Sequence, residues 1–195
     1  MRRLILLMLF PLFGLAQKAP GTIYFLDGTS ISGTVKVTSG DIKYWASPTA
    51  KPDVYDYGGA TGVSLTNDKG EQIKYEYVYF DFRKTPLLLK VEKEGYLTLY
   101  SDSSSYYAGP AAGMPGGGMG MGGGSTSTYY LKKKNDKLGQ WYLCFGYISK
   151  INFTNVIESY FKDCKAIQDK YANGEFRKKH YMEIVDFYNQ NCSPK

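Results

Sequence analysis

The chain has 195 residues, with 24 Lys and Arg against 18 Asp and Glu, and one histidine. That length suits one domain or one and a half. A single imidazole argues against zinc enzymes, Ser–His–Asp hydrolases and Cys–His proteases, all of which draw on histidine. His180 stands between Lys179 and Tyr181 with no motif around it and reads as an exposed helix residue. Sequence signatures of kinases, α/β-hydrolases, zincins and P-loops do not occur.

Residues 1–17 read as a secretory signal peptide. Arg2 and Arg3 form a positive start, Leu4 to Phe13 an apolar run, and Gly14-Leu15-Ala16-Gln17 a small-residue exit before Lys18. No cysteine lies near that point, so no lipid anchor is offered there. No other apolar stretch approaches the ~20 residues of a membrane span. The expected destination is secreted, either periplasmic or at the cell surface. Without the leader the formal charge falls from +6 to +4. Residues 18–124 are nearly neutral, with 10 basic against 11 acidic side chains, whereas residues 125–195 hold 12 against 7. In an exported protein this basic excess reads as a solvated helix face, and no nucleic-acid partner is expected.

Residues 21–100 alternate apolar and polar side chains in short runs. Thr22 to Leu26, Asp27-Gly28 and Ile31 to Val37 predict a hairpin with a type I′ turn. Further strands are predicted at Ile42–Trp45, Gly62–Leu65, Gln72–Phe80, Leu87–Val91 and Tyr96–Tyr100, all rich in aromatic and β-branched residues. Ser47 to Gly62, with Pro48, Pro52, Gly58 and Gly59, reads as a long loop. Asn67-Asp68-Lys69-Gly70-Glu71 reads as a turn, having too few alternating oxygens for an EF-hand.

Residues 101–128 differ in kind. Nine of the chain's 22 glycines fall between Gly109 and Gly124, interleaved with Met114, Met119 and Met121. Few side chains there can offset ordering the backbone, so a disordered insert between paired strands is expected. Gly118-x-Gly120-x-x-Gly123 matches the dinucleotide fingerprint in form only, because no helix follows to hold a pyrophosphate. Met114, Met119 and Met121 offer soft thioether ligands, which makes Cu(I) handling an alternative role.

Strand character resumes at Tyr129–Lys133, Gln140–Phe145 and Tyr147–Ile151. Then the period changes. Ile157, Tyr160, Phe161, Cys164, Ile167 and Tyr171 fall on one helical stripe, with Asn155 and Glu158 as the predicted cap and Asn173-Gly174 as the stop. A second helix carries Tyr181, Ile184, Val185, Tyr188 and Cys192 inward. Cys164 and Cys192 each sit on one of these stripes. In an oxidising compartment they are expected to form a disulfide, the alternative being two buried thiols, with Cys144 free in a strand.

Other candidate chemistry is sparse. Asp53 with Asp56, and Glu92 with Glu94, are the acid pairs available for a hydrolase acting on an extracellular polymer. The chain has 19 tyrosines. Tyr75, Tyr77 and Tyr79 share one face of a predicted strand, as do Tyr96, Thr98 and Tyr100, and the first set is the candidate aromatic binding face.

Leu15-Ala16-Gln17, the Gly21-Thr22-Ile23-Tyr24-Phe25 strand before Asp27-Gly28, and Gly95-Tyr96-Leu97-Thr98-Leu99-Tyr100 resemble small secreted proteins of Bacteroidota. So do Tyr160-Phe161-Lys162-Asp163-Cys164 and Tyr188-Asn189-Gln190-Asn191-Cys192 in the helical tail. The likeness spans most of the chain after the leader, and the Gly/Met insert departs from it. It implies a β-rich N-terminal part with a Cys-containing helical tail, and no catalytic residue.

The expectation is therefore an α+β fold with no cofactor. Residues 18–153 form an antiparallel sheet or partly open barrel-like body carrying the insert 101–128. Residues 154–195 form a helical hairpin packed on it. The expected role is a structural or interaction protein of the cell envelope, not an enzyme, with an envelope protein or glycan as partner.

Overall fold

The computed structural model describes residues 18–107, 123–145 and 152–194. The leader, Met114, Met119, Met121 and the Tyr147–Ile151 strand lie outside the described residues.

Ten antiparallel strands form one sheet: β1 (Ala19–Phe25), β2 (Ser30–Val37), β3 (Ile42–Trp45), β4 (Asp53–Tyr55), β5 (Ala60–Thr66), β6 (Gln72–Val78), β7 (Leu87–Lys93), β8 (Leu97–Tyr107), β9 (Gly123–Lys133) and β10 (Gln140–Phe145). Their spatial order is β10-β9-β8-β7-β6-β5-β1-β2-β3-β4. In a flat sheet β4 would lie about 19 Å from β5, four strand spacings away. The link between them, Asp56 to Gly59, is instead folded tightly. The Gly59 and Ala60 amides both donate to the Asp56 carbonyl, and the Gly58 amide donates to Asp56 Oδ1 at 2.9 Å. The β5-β1-β2-β3-β4 end therefore curls on itself into a half-barrel. Tyr77 Oη on β6 donates to the carbonyl of Gly40 in the β2–β3 turn at 2.8 Å, which ties the curl shut.

Glycine permits that curl. A Cβ on Gly33 would sit 2.5 Å from the Tyr44 ring, so the ring occupies the space a side chain would have taken. The half-barrel encloses Ile23, Val35, Ile42, Tyr44, Ala60 and Val63. The β1–β2 turn differs from the predicted type. Only Gly28 takes a positive φ, 85°, so the connection is a longer loop, pinned by Asp27 Oδ1 accepting from the Thr29 amide and hydroxyl. These two bonds hold the exposed Asp27 carboxyl below its ordinary pKa. The predicted Ser47–Gly62 loop contains β4 and the start of β5.

The paired register of β8 and β9 extends from Leu97↔Lys133 to Tyr107↔Gly123. Strand structure thus enters the 101–128 stretch from both sides. Backbone pairing needs no apolar side chains to continue the ladder into this stretch.

The C-terminal part is not a two-helix hairpin. It holds α1 (Phe153–Tyr160), α2 (Lys165–Ala172), a 3-10 turn (Lys178–His180) and α3 (Tyr181–Asn191). The predicted single stripe breaks because Cys164 leaves the helical region, φ −129° and ψ 81°, before α2 begins. Both halves face the same core, so their apolar residues keep an unbroken spacing in sequence. The cap is Asn152, whose side chain accepts from the Thr154 amide at 3.0 Å, and not Asn155. Gly174, φ 78°, follows α2 as predicted.

Cross-strand register places Ile31, Ile23, Val63, Tyr75, Lys90, Ser101, Tyr129 and Leu143 in one row on the inner face. At the β10 end of that face the helices cover Leu97, Leu99, Leu131, Tyr142 and Leu143, together with Ile157, Phe161, Ile167, Ile184, Val185 and Tyr188. A β-bulge between Trp141 and Leu143 gives β10 an extra residue, which allows Tyr142 and Leu143 to be buried in succession. Asn189 of α3 accepts from the Leu97 amide and donates to its carbonyl, acting as a side-chain strand partner. A Cβ on Gly95 would strike that amide. The bridge between Cys164 and Cys192, with Cα atoms 5.5 Å apart, joins the α1–α2 junction to the end of α3.

Candidate functional site

Among the described residues, no helix lies over the outer face of β6–β10. Its own small core consists of Val78, Phe80, Leu89, Tyr100 and Tyr130. After Val78 the chain leaves β6 and folds back across this face, and the Gly139 amide donates to the Tyr79 carbonyl at 2.8 Å. That bond docks the β6–β7 loop against the β9–β10 turn. Gly139 has no side chain because a Cβ would lie 2.6 Å from the Phe80 ring.

Four rings close a circuit there. Phe80 meets Phe82 at 5.1 Å, Phe82 meets Trp141 edge-on at 5.1 Å, Trp141 meets Tyr130 at 6.2 Å, and Tyr130 meets Phe80 at 4.9 Å between centroids. Phe80 and Tyr130 are buried, whereas Tyr79, Phe82, Leu138 and Trp141 are 38–46% or more exposed, Phe82 reaching 47%. Burial, reinforced by Asp102 and opposed by Arg83, pushes the Tyr130 phenol up to about 12. Asp81, Arg83, Lys84 and Lys137 are exposed beside the rings in sequence. The result is a rigid aromatic platform with a charged rim, an arrangement typical of contact surfaces.

Of the tyrosines singled out in sequence, Tyr79 borders this platform through its carbonyl, which accepts from the Gly139 amide. Tyr75 and Tyr77 point to the inner face and pack half-buried on the half-barrel core. Burial raises both phenols above the ordinary value. Tyr79 lies past the end of β6, so the alternation that links the three in sequence stops before it. Tyr96 precedes β8 and stacks on Tyr188, while Tyr100 is buried on the outer face and donates to Glu76 Oε2 at 2.7 Å. Phe82, Leu138 and Trp141 carry a weaker sequence signal: an aromatic ring amid charges in Asp81-Phe82-Arg83-Lys84, and a tryptophan opening the last strand.

A cleft of about 830 Å³ opens between the β2–β3 turn, the β4–β5 turn, the β6–β7 loop and the middle strands of the sheet. Its floor includes Tyr75, Leu88, Lys90 and Ser101, and Asp41, Asp56 and Arg83 stand at its sides. Lys90 pairs with Glu92 at 3.0 Å, and buried Ser101 donates to Glu92 Oε1 at 2.6 Å. Glu94 pairs with Lys74, and Asp56 is occupied in the β4–β5 turn. Asp53 begins β4 at the sheet edge. The acid pairs read from sequence thus have structural partners or lie apart from one another's ladders.

Four of the basic C-terminal residues have partners. Lys133 donates to Asp163 at 2.7 Å and to the Tyr160 carbonyl, and lies over the Tyr160 and Tyr188 rings. Burial works to raise the Asp163 carboxyl, yet hydrogen bonds from Lys133 and Tyr188 hold it below its ordinary value. Lys165 and Lys170 pair with Asp169 and Glu175, and Lys178 donates to the Cys144 carbonyl. His180 Nδ1 accepts from the Arg177 amide within the 3-10 turn. Asn67 Oδ1 accepts from the Lys69 and Glu71 amides, which makes 67–71 a hairpin turn. Cys144 is a half-buried free thiol near Thr128. Among the described residues, no three His, Cys, Asp or Glu side chains are grouped to hold a metal ion.

No family model, curated protein or solved structure matches the chain.

Proposed function

We propose that this chain is an exported, non-enzymatic interaction protein of the cell envelope, in the periplasm or at the cell surface. The Phe82–Trp141 platform is its contact surface for an envelope protein or glycan. One observation carries this reading: the exposed Phe82 and Trp141 rings meet edge-on at 5.1 Å on a face that no helix among the described residues covers. Keeping such a patch in water costs solubility without a folding benefit, which is the usual mark of an interface. The Cys164–Cys192 bridge suits an oxidising compartment. Among the described residues, no helix is long and apolar enough to cross a membrane.

The test compares affinity capture from envelope extracts by the wild-type chain and by a Phe82→Ser/Trp141→Ser variant whose circular dichroism matches it. The expected result is a defined set of ligands retained by the wild type and lost by the variant. Equal capture by both proteins overturns the assignment.

A further inference from the structure

The cleft of about 830 Å³ arises from a fork in the sheet. β7 pairs with β6 from Leu87 to Lys90, but with β8 from Lys90 to Lys93. Past Lys90 the two strands part, and β8 runs on beside β9 to Tyr107. The cleft opens there, with Leu87 and Leu88 on one arm and Ser101 and Asp102 on the other. The β2–β3 turn forms a further wall, fixed by the Tyr77–Gly40 hydrogen bond. On the floor the Lys90 charge is already matched by Glu92, which also accepts from Ser101.

The remaining charges are sorted by wall. Asp41 and Asp56 come from two turns on the β6 side, where they add to burial in raising the Tyr77 phenol. Arg83 comes from the β6–β7 loop and stands toward β9, near enough to Tyr130 to oppose the rise in its phenol, with Asp102 on the same side. Among the described residues the Arg83 guanidinium makes no ion pair, and Asp41 accepts from Thr38 through its carbonyl, leaving the carboxylate without a partner. The exposed Tyr57 ring, edge-on to Tyr77 at 6.3 Å, and Leu88 supply apolar surface. A purely anionic ligand would meet three carboxylates in this lining, and a purely cationic one would set like charge against Arg83. A neutral ligand would cover Asp41 and Arg83 and pair neither. The matching chemistry is a molecule with an ammonium at one end and a carboxylate, which suits the planar guanidinium, at the other. From β6 to β8 is two strand spacings, about 10 Å. An extended chain of about three residues spans that at about 3.3–3.6 Å each, and the cleft's volume is that of an ordinary ligand pocket.

We infer that this cleft binds a short peptide by its two free termini, the ammonium at Asp41 and Asp56 and the carboxylate at Arg83. It does not rest on the aromatic platform, so each stands or falls alone. Isothermal titration of the protein uses trialanine, Ala-Leu-Ala and Ala-Tyr-Ala, each also N-acetylated, C-amidated and blocked at both ends, with free leucine as the length comparison. At least one free tripeptide is expected to bind saturably, each block to weaken it at least tenfold, and leucine not to saturate. Arg83→Gln is expected to erase the penalty for amidation and keep that for acetylation. Asp41→Asn/Asp56→Asn is expected to do the reverse. Circular dichroism should be unchanged in both variants, since Asp56→Asn keeps the oxygen that accepts from the Gly58 amide. Failure of every free tripeptide to saturate by about 10 mM, equal binding of the doubly blocked form or of leucine, or a terminal penalty that its matching substitution leaves in place, overturns the inference.

Discussion

Reducing the Cys164–Cys192 bridge isolates one term in the stability of the helical region. The native contacts are the same atoms with or without the bond, apart from two thiol hydrogens. The bond closes a loop spanning 28 residues, which contains α2, the 3-10 turn and α3. On the chain-entropy model such a loop restricts the unfolded chain by roughly 12 cal/mol/K, or about 3.5 kcal/mol at 25 °C. For a chain of this size each kcal/mol moves the midpoint by about 2–4 °C, so a drop of about 7–14 °C is expected on reduction. Calorimetry with and without a phosphine reductant measures it, with mass spectrometry to confirm that only this bond opens. The urea m-value should rise as well, because the released chain exposes more surface. Amide NMR shifts in the native state should change around Cys164 and Cys192 and remain fixed in β1–β5. A midpoint shift below about 3 °C would refute the reasoning, showing that Ile167, Ile184, Val185 and Tyr188 hold the helices without help from the cross-link.

Three further outcomes follow from particular contacts. Gly62→Ala drives a Cβ into the Tyr75 carbonyl oxygen and should cost about 1–3 kcal/mol in urea unfolding, whereas Gly59→Ala meets nothing and should be close to neutral. Asn189→Ala leaves the amide and carbonyl of fully buried Leu97 without their partner, a loss of about 1–3 kcal/mol readable by the same assay. The lowered Asp163 pKa means that its stabilisation is complete above the unfolded-state value of about 3.9 and disappears as pH falls through the folded-state value. Asp163→Asn should therefore be less stable than wild type at neutral pH, with the gap closing in acid. A gap that persists unchanged at pH 3 refutes the assignment.

Local chemistry made some of this structure legible in sequence. The turns at Gly28, Gly70 and Gly174 were readable because each needs a positive φ that glycine tolerates. The disulfide partners were readable because both cysteines sit on apolar stripes of the helical region. Period-2 alternation found most of the strands but not which face is covered. Alternation alone therefore leaves open whether the Tyr75–Tyr77 face is exposed, and the structure packs both rings half-buried against the half-barrel core. The break at Cys164 leaves no mark in apolar spacing, since α1 and α2 face one core. The platform was least legible, because Phe82 and Trp141 are far apart in sequence. They meet where the Gly139–Tyr79 backbone bond docks the β6–β7 loop against the β9–β10 turn.

The placement of the helices decides where this protein can be approached. They occupy the inner face at the β10 end, and the half-barrel fills that face at the other, leaving the Lys90–Glu92–Ser101 cluster between two apolar cores. Strand addition is an alternative route to a partner, but the sheet edges are poor templates. Edge strand β4 has three residues and follows Pro52, and at the other edge Lys178 already occupies the Cys144 carbonyl of β10. On the proposed role, recognition is thereby directed to side chains on the outer face. There the aromatic platform rests on strands pinned to the helical core. A partner engaging Phe82 and Trp141 meets rings held by Phe80, Tyr130 and the Gly139 contact, so little ordering is needed on binding. Loosening that support with Gly139→Ala should weaken partner capture while leaving Phe82 and Trp141 themselves intact, a result that a passive hydrophobic patch would not give.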